Sequence, residues 1–219
     1  MLCSLEKIKY TFDDSNRTEL CEIMSKNHSD KGELQLTVFY YSIFKSIREK
    51  QLKVFELGLG TSNINIPSNT GPQGTPGASL YGWSEFFPNS NIFGADIDTD
   101  ILFNTDKIKT FRCDQTNLDE IKKMWNKKEL KGLFDIIIED GLHTVPAQVC
   151  FFENSIHKLA PEGYYIIEDI HNESETEWKK IIKKWKKTYT NLKFQLLQIQ
   201  SLKWNAQHDN HMLVIKNVL

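Results

Sequence analysis

Two apolar runs end in side chains that could carry proton transfer or hold a ligand through oxygen. Residues 134–138 (FDIII) are apolar apart from Asp135, and the chain then delivers Glu139, Asp140, Gly141 and His143. Residues 164–167 (YYII) end in Glu168 and Asp169. In open α/β sheets, ligands bind outside the carboxyl ends of the strands. If these runs are neighbouring strands, Asp140, His143, Glu168 and Asp169 meet at one spot. That spot is the candidate reaction centre. Glu139 is expected to face away from it, because alternate residues of a strand point to opposite faces.

The elements that must position these residues can be read from periodicity. The 134–138 run has the character of a central strand buried on both faces. Upstream, a short helix is expected at 20–24. A turn-like cluster follows at His28-Ser29-Asp30-Lys31-Gly32. Residues 36–50 carry Leu36, Tyr40, Ile43, Phe44 and Ile47 at helical spacing. Strand 53–57 leads into Gly58-Leu59-Gly60-Thr61, and a glycine pair at that point lets backbone amides approach a ligand closely. A dinucleotide fingerprint would place a third glycine at Asn63. Its absence argues against a nicotinamide oxidoreductase. With Glu56 ahead of the pair, the pattern points to a nucleoside-bearing cofactor without a pyrophosphate.

Residues 64–77, rich in Gly and Pro, form either a lid or a surface loop with no role. A helix over 79–87 turns Trp83 and Phe86 inward. Strand 91–97 ends near Asp96 and Asp98, where such folds hold ribose hydroxyls. A short strand at 109–113 ends in Asp114-Gln115, and helix 118–125 follows. Helix 146–158 has Pro146 near its first turn. Residues 159–163 read as a turn before strand 164–167. Helix 174–187 gathers Trp178, Ile181, Ile182 and Trp185 on one face. Strands at 194–199 and 212–215 complete seven. The fold class is therefore α/β: a seven-stranded, mostly parallel sheet with helices on both faces.

A chain of 219 residues suits one such domain. A formal net charge of −2 exerts no global pull toward nucleic acid or membrane. Cys3, Cys21, Cys113 and Cys150 form no CxxC pair, which argues against a zinc knuckle or redox motif, and Cys113 in a strand-like run and Cys150 in a helix-like one are expected to be buried free thiols. No stretch resembles a signal peptide or reaches membrane-spanning length, and the expected setting is the cytosol.

Together the strand-end motifs resemble class I S-adenosylmethionine (SAM)-dependent methyltransferases, a Rossmann-like fold. Glu56-Leu57-Gly58-Leu59-Gly60 looks like their first motif, Asp96 stands where the ribose-binding acid stands, and Asp114-Gln115 where the adenine-contacting pair stands. Residues 134–170 narrow the resemblance to the metal-dependent sugar O-methyltransferases acting on macrolide glycosides and the cephalosporin hydroxylase-like proteins. Ser29-Asp30-Lys31-Gly32, Ala78-Ser79-Leu80 with Trp83, Phe87-Pro88 and Asp209-Asn210 also agree. The departures are Glu139, Leu142, Ala147 and Glu162, together with a His missing from residues 36–41; Leu142 and Ala147 bear on substrate identity more than on chemistry.

The resemblance implies SAM bound by Glu56, Gly58, Gly60, Thr61, Ser79, Leu80, Asp96, Asp114, Gln115 and Asp140. It places Mg2+ on Asp140, Glu168 and Asp169, and catalysis on His143 and Asp140. The electrostatics agree, since crowded carboxylates repel and a hard cation relieves that. An imidazole with a reference pKa of about 6.5 suits a general base. Plainer readings stand beside these: His143 as a hydrogen-bonded structural residue, Glu168-Asp169 as a helix cap, Gln148 on the first turn of its helix, and His208 and His211 at the surface. The expected acceptor is a hydroxyl of a sugar-containing small molecule, and a homo-oligomer fits the relatives. Residues 1–50 would form a helical cap and residues 51–219 the methyltransferase domain. The alternative is a SAM protein directed at nucleic acid or another phosphorylated acceptor, motivated by the lysines between Lys179 and Lys187. A solvated helix face is the stronger reading of those lysines, since nothing aromatic interleaves them on the same face.

Overall fold

The computed structural model describes residues 16–33, 36–198 and 211–219. Helix α1 (Glu19–Lys26) starts at Thr18, whose hydroxyl accepts from the Cys21 backbone N–H. Such a cap contributes about 1 kcal/mol. A 3₁₀ turn at Asp30–Gly32 leads to α2 (Leu36–Phe44), which ends earlier than the periodicity suggests and tightens into 3₁₀ at Lys45–Ile47. Then follow β1 (Lys53–Leu57), α3 (Ala78–Phe86), β2 (Asn91–Asp96), β3 (Ile108–Arg112), α4 (Leu118–Trp125), β4 (Phe134–Glu139), α5 (Val145–Ser155), β5 (Leu159–Ile170), α6 (Glu175–Thr188), β6 (Leu192–Gln198) and β7 (His211–Asn217). Residues 64–77 contain turns and no regular element.

The strands form one seven-stranded sheet in the order β3-β2-β1-β4-β5-β7-β6. All pairings are parallel except those of β7, which runs antiparallel to β5 and β6. The apolar run at 134–138 therefore sits mid-sheet. Its side chains feed two cores, one per face. Ile136 and Ile138 pack with α1–α3 residues such as Met24, Tyr40 and Trp83, whereas Phe134 and Ile137 pack with α4–α6 residues such as Trp125, Phe151 and Trp185. On α6, Trp178, Ile182 and Trp185 are buried, and Lys179 and Lys184 pair with Glu175 and Glu153 at 2.6 and 3.7 Å.

Three expectations need correction. The 159–163 stretch is not a turn outside the sheet. Leu159 already pairs with Phe134, and residues 160–163 loop out as a bulge before Tyr164 pairs with Ile136, with Glu162 in the left-handed region (φ 56°). Strand β5 also runs past Glu168 and Asp169. One extra residue between the Ile167–Leu213 and Ile170–His211 pairs makes a second bulge, and Asp169 takes φ 51°. His211 is buried in β7 rather than exposed. Cys3, Ile199, His208 and the Asp209-Asn210 pair lie outside the described residues. Among the described residues no helix is long and apolar enough to cross a membrane.

Candidate active site

A cavity of about 900 Å³ opens at the carboxyl ends of β1, β2, β4 and β5. One end is built from the turn after β1. Gly58 has φ +88°, and a Cβ there would lie 1.9 Å from the Asp140 carbonyl oxygen. Only glycine lets the turns after β1 and β4 approach so closely. The turn is then fixed by backbone bonds: Gly58 N–H donates to Ala95 O at 2.9 Å, and Asp140 N–H to Leu57 O at 2.9 Å. Asp96 accepts from the N–H groups of Leu59 (2.7 Å) and Asp98 (2.9 Å). Burial raises its pKa despite these donors. Gly60, Thr61, Ser79, Asp114 and Gln115 line the same end.

Two residues expected at the cofactor do not line the cavity. Leu80 is fully buried in the core, and Glu56 is fully buried beneath the floor, accepting from Trp83 Nε1 at 2.6 Å. Gln115 lines the cavity, but its amide is already engaged. Nε2 donates to Glu139 at 2.8 Å and Oε1 accepts from the Leu142 N–H at 2.6 Å. Gln115 thus brackets the turn that presents Asp140 and His143. Glu139 does face away from the cavity, and burial lifts its carboxyl pKa to about 7. The Gln148 amide donates to the Glu168 carbonyl at 2.9 Å, which makes it a strut of β5.

At the other end Asp140, His143, Glu168 and Asp169 come together. The bulge at Asp169 is what allows two consecutive acids to reach one cavity, since in a regular strand they would point apart. His143 Nε2 lies 3.3 Å from Asp140 Oδ1, and Nδ1 lies 3.8 Å from Asp169 Oδ2. Burial lowers the imidazole pKa, but the carboxylates of Asp140, Asp169 and Glu139 outweigh it and raise it to about 9. Burial pushes Asp140 up, yet Lys31 and His143 hold it below the usual carboxylate range. One ligand atom each from Asp140, His143 and Asp169 lie within 4.8 Å of one another, a spacing that one ion could bridge.

Glu168 also lines the cavity, but both its oxygens are engaged. It accepts from Lys31 Nζ at 2.6 Å and from the Tyr40 hydroxyl. Lys31 also pairs with Asp140 and lies 3.4 Å from Glu56. Sequence reasoning missed both partners. Lys31 sits in a polar turn cluster, which normally signals exposure, and Tyr40 reads as one more apolar position on a helix face.

No family model matches the chain. It is 30% identical over 154 residues to 8-demethyl-8-(2-methoxy-α-L-rhamnosyl)-tetracenomycin-C 3'-O-methyltransferase of Streptomyces olivaceus, covering 69% of this chain and 37% of that protein. It is likewise 30% identical to mycinamicin VI 2''-O-methyltransferase of Micromonospora griseorubida, covering 71% of this chain and 37% of that protein. Among solved structures, MycE methyltransferase from the mycinamycin biosynthetic pathway, in complex with Mg and SAH, matches with a TM-score of 0.58 and 29% identity, over 70% of this chain and 37% of that one. An O-methyltransferase from Bacillus cereus in complex with SAH shares the fold alone, with a TM-score of 0.55 and 12% identity over 94% of this chain and 92% of that one. The fold is the class I methyltransferase fold, and the chain resembles sugar O-methyltransferases of natural-product pathways over 37% of their length.

Proposed function

We propose that this chain is a SAM-dependent O-methyltransferase that takes a sugar hydroxyl as acceptor and uses a divalent cation. One observation carries the reading. A single cavity has the Gly58–Gly60 turn and Asp96 at one end and Asp140, His143 and Asp169 at the other. The likeness to sugar O-methyltransferases supports it, as do the Mg and SAH bound by MycE.

In this reading Gly58 and Gly60 present the backbone to the cofactor, and Asp96 accepts the ribose hydroxyls with the lone pairs its two backbone donors leave. Thr61, Ser79 and Asp114 complete that end. The oxygen-rich set at the other end suits magnesium, which Asp140 and Asp169 would hold through their carboxylates. SAM would supply the methyl group, and a bound magnesium ion would polarise the acceptor hydroxyl and offset the carboxylates of Asp140, Asp169 and Glu139 that raise the His143 pKa. His143 Nε2 faces Asp140 Oδ1 at 3.3 Å, and in this reading Nδ1 takes the hydroxyl proton. Asp140 therefore orients the base as well as belonging to the ligand set. Most of the acceleration comes from placing the acceptor oxygen and from fixed charge around it. Residues 16–33 and 36–50 act as a cap on the methyltransferase unit that begins at residue 51.

Calorimetric titration of SAH with Mg2+ or with EDTA, followed by incubation with methyl-labelled SAM and a panel of deoxysugar glycosides, tests the reading. SAH is expected to bind in both conditions, and label to pass to a glycoside only with Mg2+. No SAH binding in either condition sinks it.

A further inference from the structure

Lys31 is a lysine with a side chain 4% exposed, set among acids from three strands. Glu56 of β1 lies at 3.4 Å and Glu168 of β5 at 2.6 Å, and Asp140, just after β4, is in direct contact. The lysine itself comes from the 3₁₀ turn between α1 and α2. That turn is rigidly seated. Thr37 Oγ1 donates to the Lys31 carbonyl at 3.3 Å, and a Cβ on Gly32 would lie 2.5 Å from Ser25 Oγ. A buried ammonium is costly unless it is paired and hydrogen-bonded. Here three carboxylates, those of Asp140, Glu168 and Glu56, surround the ammonium and keep it paired.

We propose that Lys31 is a built-in rival of the divalent cation, competing with it for Asp140 and Glu168 and so setting how tightly the site holds an ion. The proposal rests on the cation reading of the acid cluster given above. The ammonium takes Asp140 Oδ2 and Glu168 Oε2, while Asp140 Oδ1 and Asp169 Oδ2 face His143. A cation on Asp140, His143 and Asp169 shares the Asp140 carboxylate with a second positive charge, and like charges at such range repel strongly in a buried setting. A cation that also draws in Glu168 must take that oxygen from the ammonium. Either way the lysine opposes the ion. A purely architectural lysine would act in the opposite sense, because removing it would loosen the acids and weaken ion binding.

Calorimetric titration of Mn2+ into the chain and into Lys31→Met separates these cases. The dissociation constant is expected to fall by about tenfold or more in the variant, some 1.4 kcal/mol. Equal or weaker binding by a folded Lys31→Met overturns the proposal. Should that variant not fold, Lys31→Met with Glu56→Gln removes the ammonium together with its third acid, and the same outcomes apply. In the unsubstituted chain, the ε-methylene resonance of ¹³C-labelled Lys31 should move on saturation with Mg2+, and a resonance that stays put overturns the proposal without any variant. If the unsubstituted chain and its variants all fail to bind Mn2+, the cation reading itself falls and the proposal with it.

Discussion

The two ends of the cavity are held by different kinds of bond. The glycine-turn end is tied by the backbone. Gly58 N–H reaches Ala95 O, and Leu59 N–H reaches the Asp96 carboxylate. The acid end is tied by side chains reaching across the chain, with Lys31 meeting Asp140 and Glu168 over separations of 109 and 137 residues, and Tyr40 meeting Glu168 over 128. A backbone-built end tolerates most side-chain exchanges but no loss of glycine. A charge-balanced end is sensitive to any one of its members, because each removal leaves a buried partner unpaired.

The acid end should be most sensitive at His143. His143→Ala is expected to lower turnover about 10²–10⁴-fold, the usual contribution of a general base, with SAH affinity nearly unchanged. Calorimetry beside steady-state assays checks this, and equal loss in both would make His143 architectural. Gly58→Ala should damage both ends at once. A left-handed alanine costs about 1–2 kcal/mol, and the clash with the Asp140 carbonyl adds about 1–3 kcal/mol. Loss of SAH binding together with a lowered urea midpoint is the expected result.

Glu139 sharpens the contrast through pH. Its folded pKa of about 7 stands above the unfolded value of 4.5. Its contribution to stability is therefore full below about pH 4.5 and lost as pH rises through about 7, a change of about 3 kcal/mol. Urea unfolding at pH 5 and pH 8 should show a smaller fall for Glu139→Gln than for the unsubstituted chain, and parallel falls would count against the burial argument. Tyr40→Phe is the mildest test. It takes one donor from the buried Glu168 and should cost about 1–3 kcal/mol of stability, read from the urea midpoint, while leaving SAH affinity alone.

Much of the fold is legible in the sequence. Strand β1 matches its periodicity residue for residue, and α4 does too, because hydrophobic period and capping residues such as Asn117 are local signals. The end of the 36–50 helix, which tightens into 3₁₀ at Lys45–Ile47, and the 159–163 stretch are misread, the second because tertiary pairing overrides local propensity. Leu159 enters the sheet because Phe134 is there to pair with it. At the candidate site the grouping of Asp140, His143, Glu168 and Asp169 follows once the two runs are taken as neighbouring strands.

By itself, then, the sequence determined the seven-strand α/β architecture, the glycine turn after β1 and the acids at the strand ends. These depend on residue type and short spacing, which bonds between near neighbours enforce. The tertiary structure decided the rest. It bent β5 at Asp169 so that two consecutive acids share a cavity, sent Glu56 and Leu80 beneath its floor, and inserted Lys31 among the carboxylates. Those outcomes depend on charges more than 100 residues apart finding each other in a medium where none can stay unpaired.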